Sequence, residues 1–162
     1  MKHLKFFAFV ILVAVVMALF EIQIEGANGW AAALPTWRLN LNFSFLGMWG
    51  TGEKPLTGYH VYLWLFSFIL PHFGFLFEKW TWKKELFLLA FYAFFTTIEG
   101  LLWFVLNPAF GWQKFHYGIA WYKEFWLLGI PSEYWWRFAV ASVLYLLANR
   151  NADKKDKAKR LS

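Results

Sequence analysis

The residues of this chain best placed to do chemistry are ionisable side chains inside apolar segments. Such a residue costs a few kcal/mol or more in hydrocarbon, so it faces a protein interior and has a partner there. Glu99 is the clearest case. It lies in an apolar run, and Tyr92, Thr96, Glu99, Trp103 and Asn107 recur at steps of three and four, which is one face of a helix. An earlier run carries His60, Trp64, Ser67 and Pro71 on a matching face. Glu21 and Glu25, four apart, close the first apolar run, and Glu133 and Arg137, four apart, open the last. A carboxyl group in a low-dielectric site can serve as a general acid or base near neutral pH. The expected catalytic set is Glu99 as acid or base, His60 as its partner, and Asn107 and Arg137 to orient a substrate or neutralise its charge. Trp64, Trp103, Tyr92 and Arg38 are expected to line a substrate- or lipid-binding surface.

Other chemistries fit less well. Glu21, Glu25, His60, Glu99 and His116 offer mixed oxygen and nitrogen ligands of the kind that suit Zn²⁺, Mn²⁺ or non-haem iron. No His-x-x-x-His or Glu-x-x-His pair tightens that pattern. The chain has no cysteine, which excludes disulfides, thiolate metal sites and cysteine nucleophiles. Ser67 is not in a nucleophile-elbow context, and Gly26–Gly29 lacks the surroundings of a phosphate loop. A purely structural alternative pairs Glu99 with Arg137 or His60 to fix helix register. His72 falls on a different face from His60 and reads as a packed histidine bonded to a carbonyl that Pro71 frees.

These residues need a membrane scaffold to hold them. Of 162 residues, 60% are hydrophobic, 24% aromatic and only 16% charged, with mean hydropathy +0.41. A soluble domain carries roughly 45–50% apolar and about 25% charged residues. A span needs about 20 mostly apolar residues. About four segments qualify: Leu4–Phe20, Tyr59–Phe77, Leu86–Leu106 and Tyr134–Ala148, the last the shortest. The expected fold is an all-α integral membrane protein. Residues 1–148 form a four-helix transmembrane domain, and 149–162 form a basic cytoplasmic tail. The first segment starts with basic residues but lacks a small-residue cleavage signal, so it reads as a retained helix.

Lys and Arg set the orientation. Lys2, Lys5, Lys79, Lys83, Lys84, Arg150, Lys154, Lys155, Lys157, Lys159 and Arg160 fall on one side. Arg38, Lys54, Lys114, Lys123 and Arg137 fall on the other. Both termini are therefore expected in the cytoplasm of a cell-membrane protein. The net charge of +6 sits at segment ends, so nucleic acid is not an expected partner. The outer loops, 22–58 and 107–133, are too long for simple connections and rich in Trp, Tyr and Phe. They are expected to form an aromatic interfacial cap on the non-cytoplasmic side, with Ile119–Leu128 as a short interfacial helix.

Three motifs go together: Glu21-x-x-x-Glu25-Gly26 with Gly29-Trp30-Ala31 and Leu34-Pro35-Thr36-Trp37-Arg38; Thr57-Gly58-Tyr59-His60; and Glu99-x-x-Leu102-Trp103-Phe104-x-x-Asn107-Pro108-x-Phe110-Gly111. Together they resemble a family of small bacterial and archaeal multi-pass membrane proteins to which no activity is assigned. Members often carry an acidic residue where this chain has Gly100, and a Trp-His pair where it has Trp121-Tyr122. The resemblance implies the topology, names no cofactor and brings no reaction. Two functions follow from the residues. The leading expectation is an accessory or assembly subunit of a membrane complex, whose aromatic surface contacts lipid, pigment or other membrane subunits. The alternative is a membrane-embedded enzyme acting on a lipid or isoprenoid, a hydrophobic small molecule, through Glu99.

Overall fold

A computed structural model describes residues 2–40, 44–45, 49–50, 54–118 and 126–150; for 44–45, 49–50 and 116–118 it describes the backbone only. The chain is mostly helical, and three of its helices are long and apolar enough to cross a membrane: Lys2–Glu25, Gly58–Leu76 and Trp82–Leu106.

The first helix, α1 (Lys2–Glu25), contains no Gly or Pro and runs past the apolar segment to include both Glu21 and Glu25. Its buried residues are Phe6, Val10, Ala14, Ala18, Glu21, Ile22 and Glu25, a single stripe at steps of three and four. The small Ala14 and Ala18 let a neighbouring helix come close. The opposite face, including Phe9, Leu12, Val16 and Phe20, is exposed, as a lipid-facing surface would be. Gly26 ends the helix in the left-handed conformation at φ 64°, the usual choice at a helix C-terminus.

The chain then turns through short antiparallel pairs. β1 (Arg38–Leu39) pairs with β4 (Leu56–Thr57), in register Arg38↔Thr57, and the strands between them, β2 (Ser44–Phe45) and β3 (Trp49–Gly50), pair with each other. Thr57 caps α2 (Gly58–His72), accepting the backbone N–H of His60 at 3.3 Å. Pro71 lies in the last turn of α2, and Phe73–Leu76 follow as a 3₁₀ turn, so the regular helix stops short of Phe77. Thr81 caps α3 (Trp82–Leu106) in the same way. That cap starts the helix four residues before the apolar run does. Asn107, held extended by Pro108, ends it as expected.

The second loop differs from expectation. A helix, α4 (Gly111–Gly118), stands before the stretch expected to be helical, Ile119–Leu128, whose last residues are not helical. Residues 119–125 lie outside the described residues. Trp126–Leu127 form strand β5, paired with β6 (Ile130–Pro131). Leu128 and Gly129 between them both have positive φ, 53° and 75°, as a tight two-residue hairpin turn requires. The last helix, α5 (Ser132–Asn149), contains the expected fourth segment, but it is not among the three helices that meet the length and hydropathy of a span. Glu133 and Arg137 near its start lower its hydropathy.

The bundle is built on α3, which packs along α1 on one side and α5 on the other. Two apolar clusters hold it. Ala18, Ile22, Trp103, Phe104, Phe115 and Tyr134 close the end where the long loops sit. Phe6, Val10, Ala90, Phe94, Ala141 and Tyr145 close the other. α1 and α3 therefore run one way and α2 and α5 the other. α2 leans on α3 at a few points only: Tyr92 Oη donates to the Trp64 carbonyl at 3.3 Å, Phe68 meets Tyr92, and His72 meets Glu85.

Candidate functional site

At the looped end, residues from three helices bring ionisable groups together. Glu21 and Glu25 are one helical turn apart on the buried stripe of α1, and both are almost fully buried. Glu25 meets His60 at the start of α2, with His60 Nε2 3.3 Å from Glu25 Oε1. The same carboxyl oxygen accepts the backbone N–H of Ala31 at 2.6 Å. The other ring nitrogen of His60, Nδ1, lies 2.7 Å from Thr57 Oγ1. Trp30 stacks on the imidazole, with centroids 4.3 Å apart, and is pinned by its indole N–H donating to the Pro55 carbonyl at 2.7 Å. His60 is thus held on both nitrogens and one face.

The second carboxyl pair is Glu21 with Glu99. Their side chains face each other at hydrogen-bonding range, and Glu25 adds its charge to both. Two carboxyl groups can share a hydrogen bond only if one of them brings a proton. Glu99 Oε1 is shut off from solvent and has no hydrogen-bond partner among the described residues. Arg137 supplies the opposite charge within electrostatic reach of Glu99 and also pairs with Glu133. The partner of His60 is therefore Glu25, not Glu99. The reason is local: Thr57, as N-cap, holds His60 at the mouth of α2, where it meets the end of α1.

The turn that carries Trp30 is strained. Gly29, Trp30 and Ala31 all have positive φ, at 58°, 49° and 52°. For a residue with a side chain this costs roughly 1–2 kcal/mol. Glu25 holds the turn from inside. Arg38 holds it from outside, donating to the carbonyls of Ala31 at 2.6 Å, Ala32 at 3.2 Å, Leu34 at 3.2 Å and Thr36 at 3.0 Å. Arg38 therefore binds its own loop. Gly29 has room for nothing larger, since a Cβ there would lie 2.5 Å from the Trp103 ring.

Asn107 is likewise committed to the backbone. Its amide donates to the Gly26 carbonyl at 3.1 Å, and its side-chain oxygen accepts the Ala109 N–H at 3.0 Å. It ties the end of α1 to the end of α3. Trp103 is buried on the same face of α3 as Glu99, while Trp64 is partly exposed beside His60. Among the described residues no group of three His, Asp or Glu side chains is arranged to hold a metal. The side chain of His116 lies outside the described residues.

Sequence reasoning missed Thr57, Trp30 and Tyr59. Thr57 was readable, since a Thr three residues before a polar side chain at a helix start is a cap signal. Trp30 was not, because its position depends on three consecutive left-handed residues. Tyr59 lies within the joint field of Glu21, Glu25 and Glu99, and its hydroxyl is a buried atom without a partner among the described residues.

Comparisons with protein-family models, with curated proteins and with solved structures find no match to this chain. The function therefore has to be argued from the geometry of the buried cluster.

Proposed function

We propose that this chain is a multi-pass protein of the cell membrane whose looped end transfers a proton to or from a lipid-phase substrate, with Glu99 as the acid or base. One observation carries the reading: Glu99 meets the carboxyl of Glu21, has one oxygen without a hydrogen-bond partner among the described residues, and lies beside a preset Glu25–His60 pair. Fixing helix register needs only one buried pair. Three carboxyls and a histidine in one layer are a more expensive arrangement, and strained backbone holds part of it in place.

In this reading each residue has a role. Glu99 Oε1 exchanges the proton with the substrate. Glu21 shares that proton between turnovers. Glu25 and His60 take up the charge that moves. Arg137 balances Glu99, and Asn107 and Arg38 position the backbone. The substrate reaches the site from the side: α1 and α2 both lean on α3 and share little of their own length. We take the line between α1 and α2 as the substrate's approach from the lipid phase.

The test is isotope exchange. Purified protein is incubated with total membrane lipids in D₂O, and the lipids are analysed by mass spectrometry. Carbon-bound deuterium should appear in one lipid class with the wild type and be absent with Glu99→Gln. Equal incorporation by both proteins, or none by the wild type, sinks the proposal.

A second reading, an accessory subunit, is favoured by the bare outer face of α2. Tyr62, Phe66, Ile69 and Leu70 are all more than half exposed, and Phe73 continues the surface into the turn that follows. Gentle extraction should then recover a larger assembly, and a lone monomer would speak against it.

A further inference from the structure

The buried polar atoms without partners at the looped end form a chemically defined set. Tyr59 Oη, Glu99 Oε1 and Trp103 Nε1 are each shut off from solvent and without a hydrogen-bond partner among the described residues. Protein interiors rarely leave such atoms unpaired. The three belong to one layer of the molecule. Glu99 and Trp103 are one turn apart on the same face of α3. The Trp103 ring packs on Gly29, in the turn that lays Trp30 over His60. Tyr59 interacts electrostatically with Glu99 and with both carboxyls of α1.

Their donor and acceptor character is complementary to one kind of group. The carboxylate oxygen of Glu99 accepts, the indole of Trp103 only donates, and the phenol of Tyr59 can donate. A hydroxyl has the matching complement, one hydrogen for Glu99 to accept and two lone pairs to receive those of Trp103 and Tyr59. A carboxylate has no hydrogen to give and would add negative charge beside the three carboxyl groups already there. An ammonium cannot accept from the indole, and an ether or ketone cannot donate.

We propose that Tyr59, Glu99 and Trp103 recognise the hydroxyl group of a neutral lipid-phase alcohol, whose chain leaves between α1 and α2. This rests on the acid–base reading above and names the group that anchors its substrate: the hydroxyl is held at the site, and the carbon that gives its hydrogen to Glu99 and takes a deuteron back is a second position of the same molecule. A water molecule offers the same oxygen, so the test must separate the two sources.

The probe is hexadecan-1-ol, with its methyl ether and hexadecanoate as controls of equal chain length. Each is equilibrated with the full-length protein in detergent, and retention is read by native mass spectrometry. The alcohol should be retained singly, and the ether and acid about tenfold less. Tyr59→Phe and Trp103→Phe should each weaken retention of the alcohol by about fivefold, the factor that one ordinary hydrogen bond carries. Tyr59→Phe keeps the ring and serves as the test if Trp103→Phe fails to fold. Glu99→Gln keeps an acceptor oxygen, so it should still retain the alcohol while losing isotope exchange. Equal retention of alcohol and ether, or no retained alcohol, overturns the proposal and leaves the three atoms to water. Isotope exchange in that case would leave the acid–base reading standing. Selective retention of the alcohol without exchange would do the reverse.

Discussion

Two glycines separate what close packing demands from what it merely allows. Gly29 has φ 58°, and a Cβ there would sit 2.5 Å from one atom and 2.9 Å from another of the Trp103 indole. That ring is buried and wedged, so it cannot swing clear. Gly29→Ala should therefore cost about 2–4 kcal/mol, from the left-handed backbone and the overlap together. A clear fall in the thermal unfolding midpoint in detergent is the expected result; an unmoved midpoint would mean that the turn around Trp30 is not built as described. Gly100, beside Glu99, is the contrast. What lies over it is the Tyr134 hydroxyl, 3.5 Å from where a Cβ would stand. That is ordinary contact, and Ala is the better helix former, so Gly100→Ala should be neutral or stabilising by up to about 1 kcal/mol. Asn107 makes a third case. Asn107→Ala strands the Gly26 carbonyl and the Ala109 N–H in or near the interior, and should cost about 1–3 kcal/mol. If the loss were confined to activity, with stability unchanged, Asn107 would belong to the substrate and not to the backbone.

The helices illustrate what a sequence can and cannot tell. Apolar runs bounded by polar residues placed α1, α2, α3 and α5 correctly, because the burial of a helix face is a local and periodic signal. Their ends were displaced wherever a cap or a kink decided them. Glu21 and Glu25 extend α1 because its buried face continues into the loops. Thr81 starts α3 early, and Pro71 ends regular α2 early. The candidate residues Glu21, Glu25, His60 and Glu99 were legible because ionisable groups stand out in apolar sequence. Their pairing was not. Which carboxyl meets His60 depends on how residues 26–57 fold back, and no local periodicity encodes that return. The two threonine caps turn this into a measurement. Thr81→Ala removes only a cap and should cost about 1 kcal/mol of stability, with no effect on the looped end. Thr57→Ala removes a cap of the same kind and also the partner of His60 Nδ1. Its cost should be larger, and isotope exchange should fall with it. If the two substitutions behaved alike in both readouts, Thr57 would be no more than a cap.

At the scale of the whole molecule, three helices are long and apolar enough to cross a membrane, and packing decides whether α5 would accompany them. Hydropathy alone leaves it out. Packing argues for it. Tyr134 near its start contacts Phe115 at the looped end, and Tyr145 near its finish contacts Phe6 and Phe87 at the other. Its 18 residues cover about 27 Å at 1.5 Å per residue, close to the roughly 30 Å of a hydrocarbon core. A helix packed along α3 over that length traverses whatever α3 traverses. Arg137 is then tolerable because it pairs with Glu133 near the outer boundary and faces Glu99. The chain has no cysteine, so single cysteines can be placed without background. Ala33→Cys and Leu128→Cys lie on exposed parts of the looped end, Lys79→Cys on the turn between α2 and α3, and Arg150→Cys just past α5. With four spans, an impermeant thiol reagent added outside should label Ala33→Cys and Leu128→Cys and spare Lys79→Cys and Arg150→Cys. With three spans, Arg150→Cys would label with the outer pair. Labelling of Lys79→Cys and protection of Ala33→Cys would invert the orientation drawn from the Lys and Arg distribution. The buried carboxyls would then open toward the cytoplasm, and the lipid-phase substrate would be drawn from the inner leaflet.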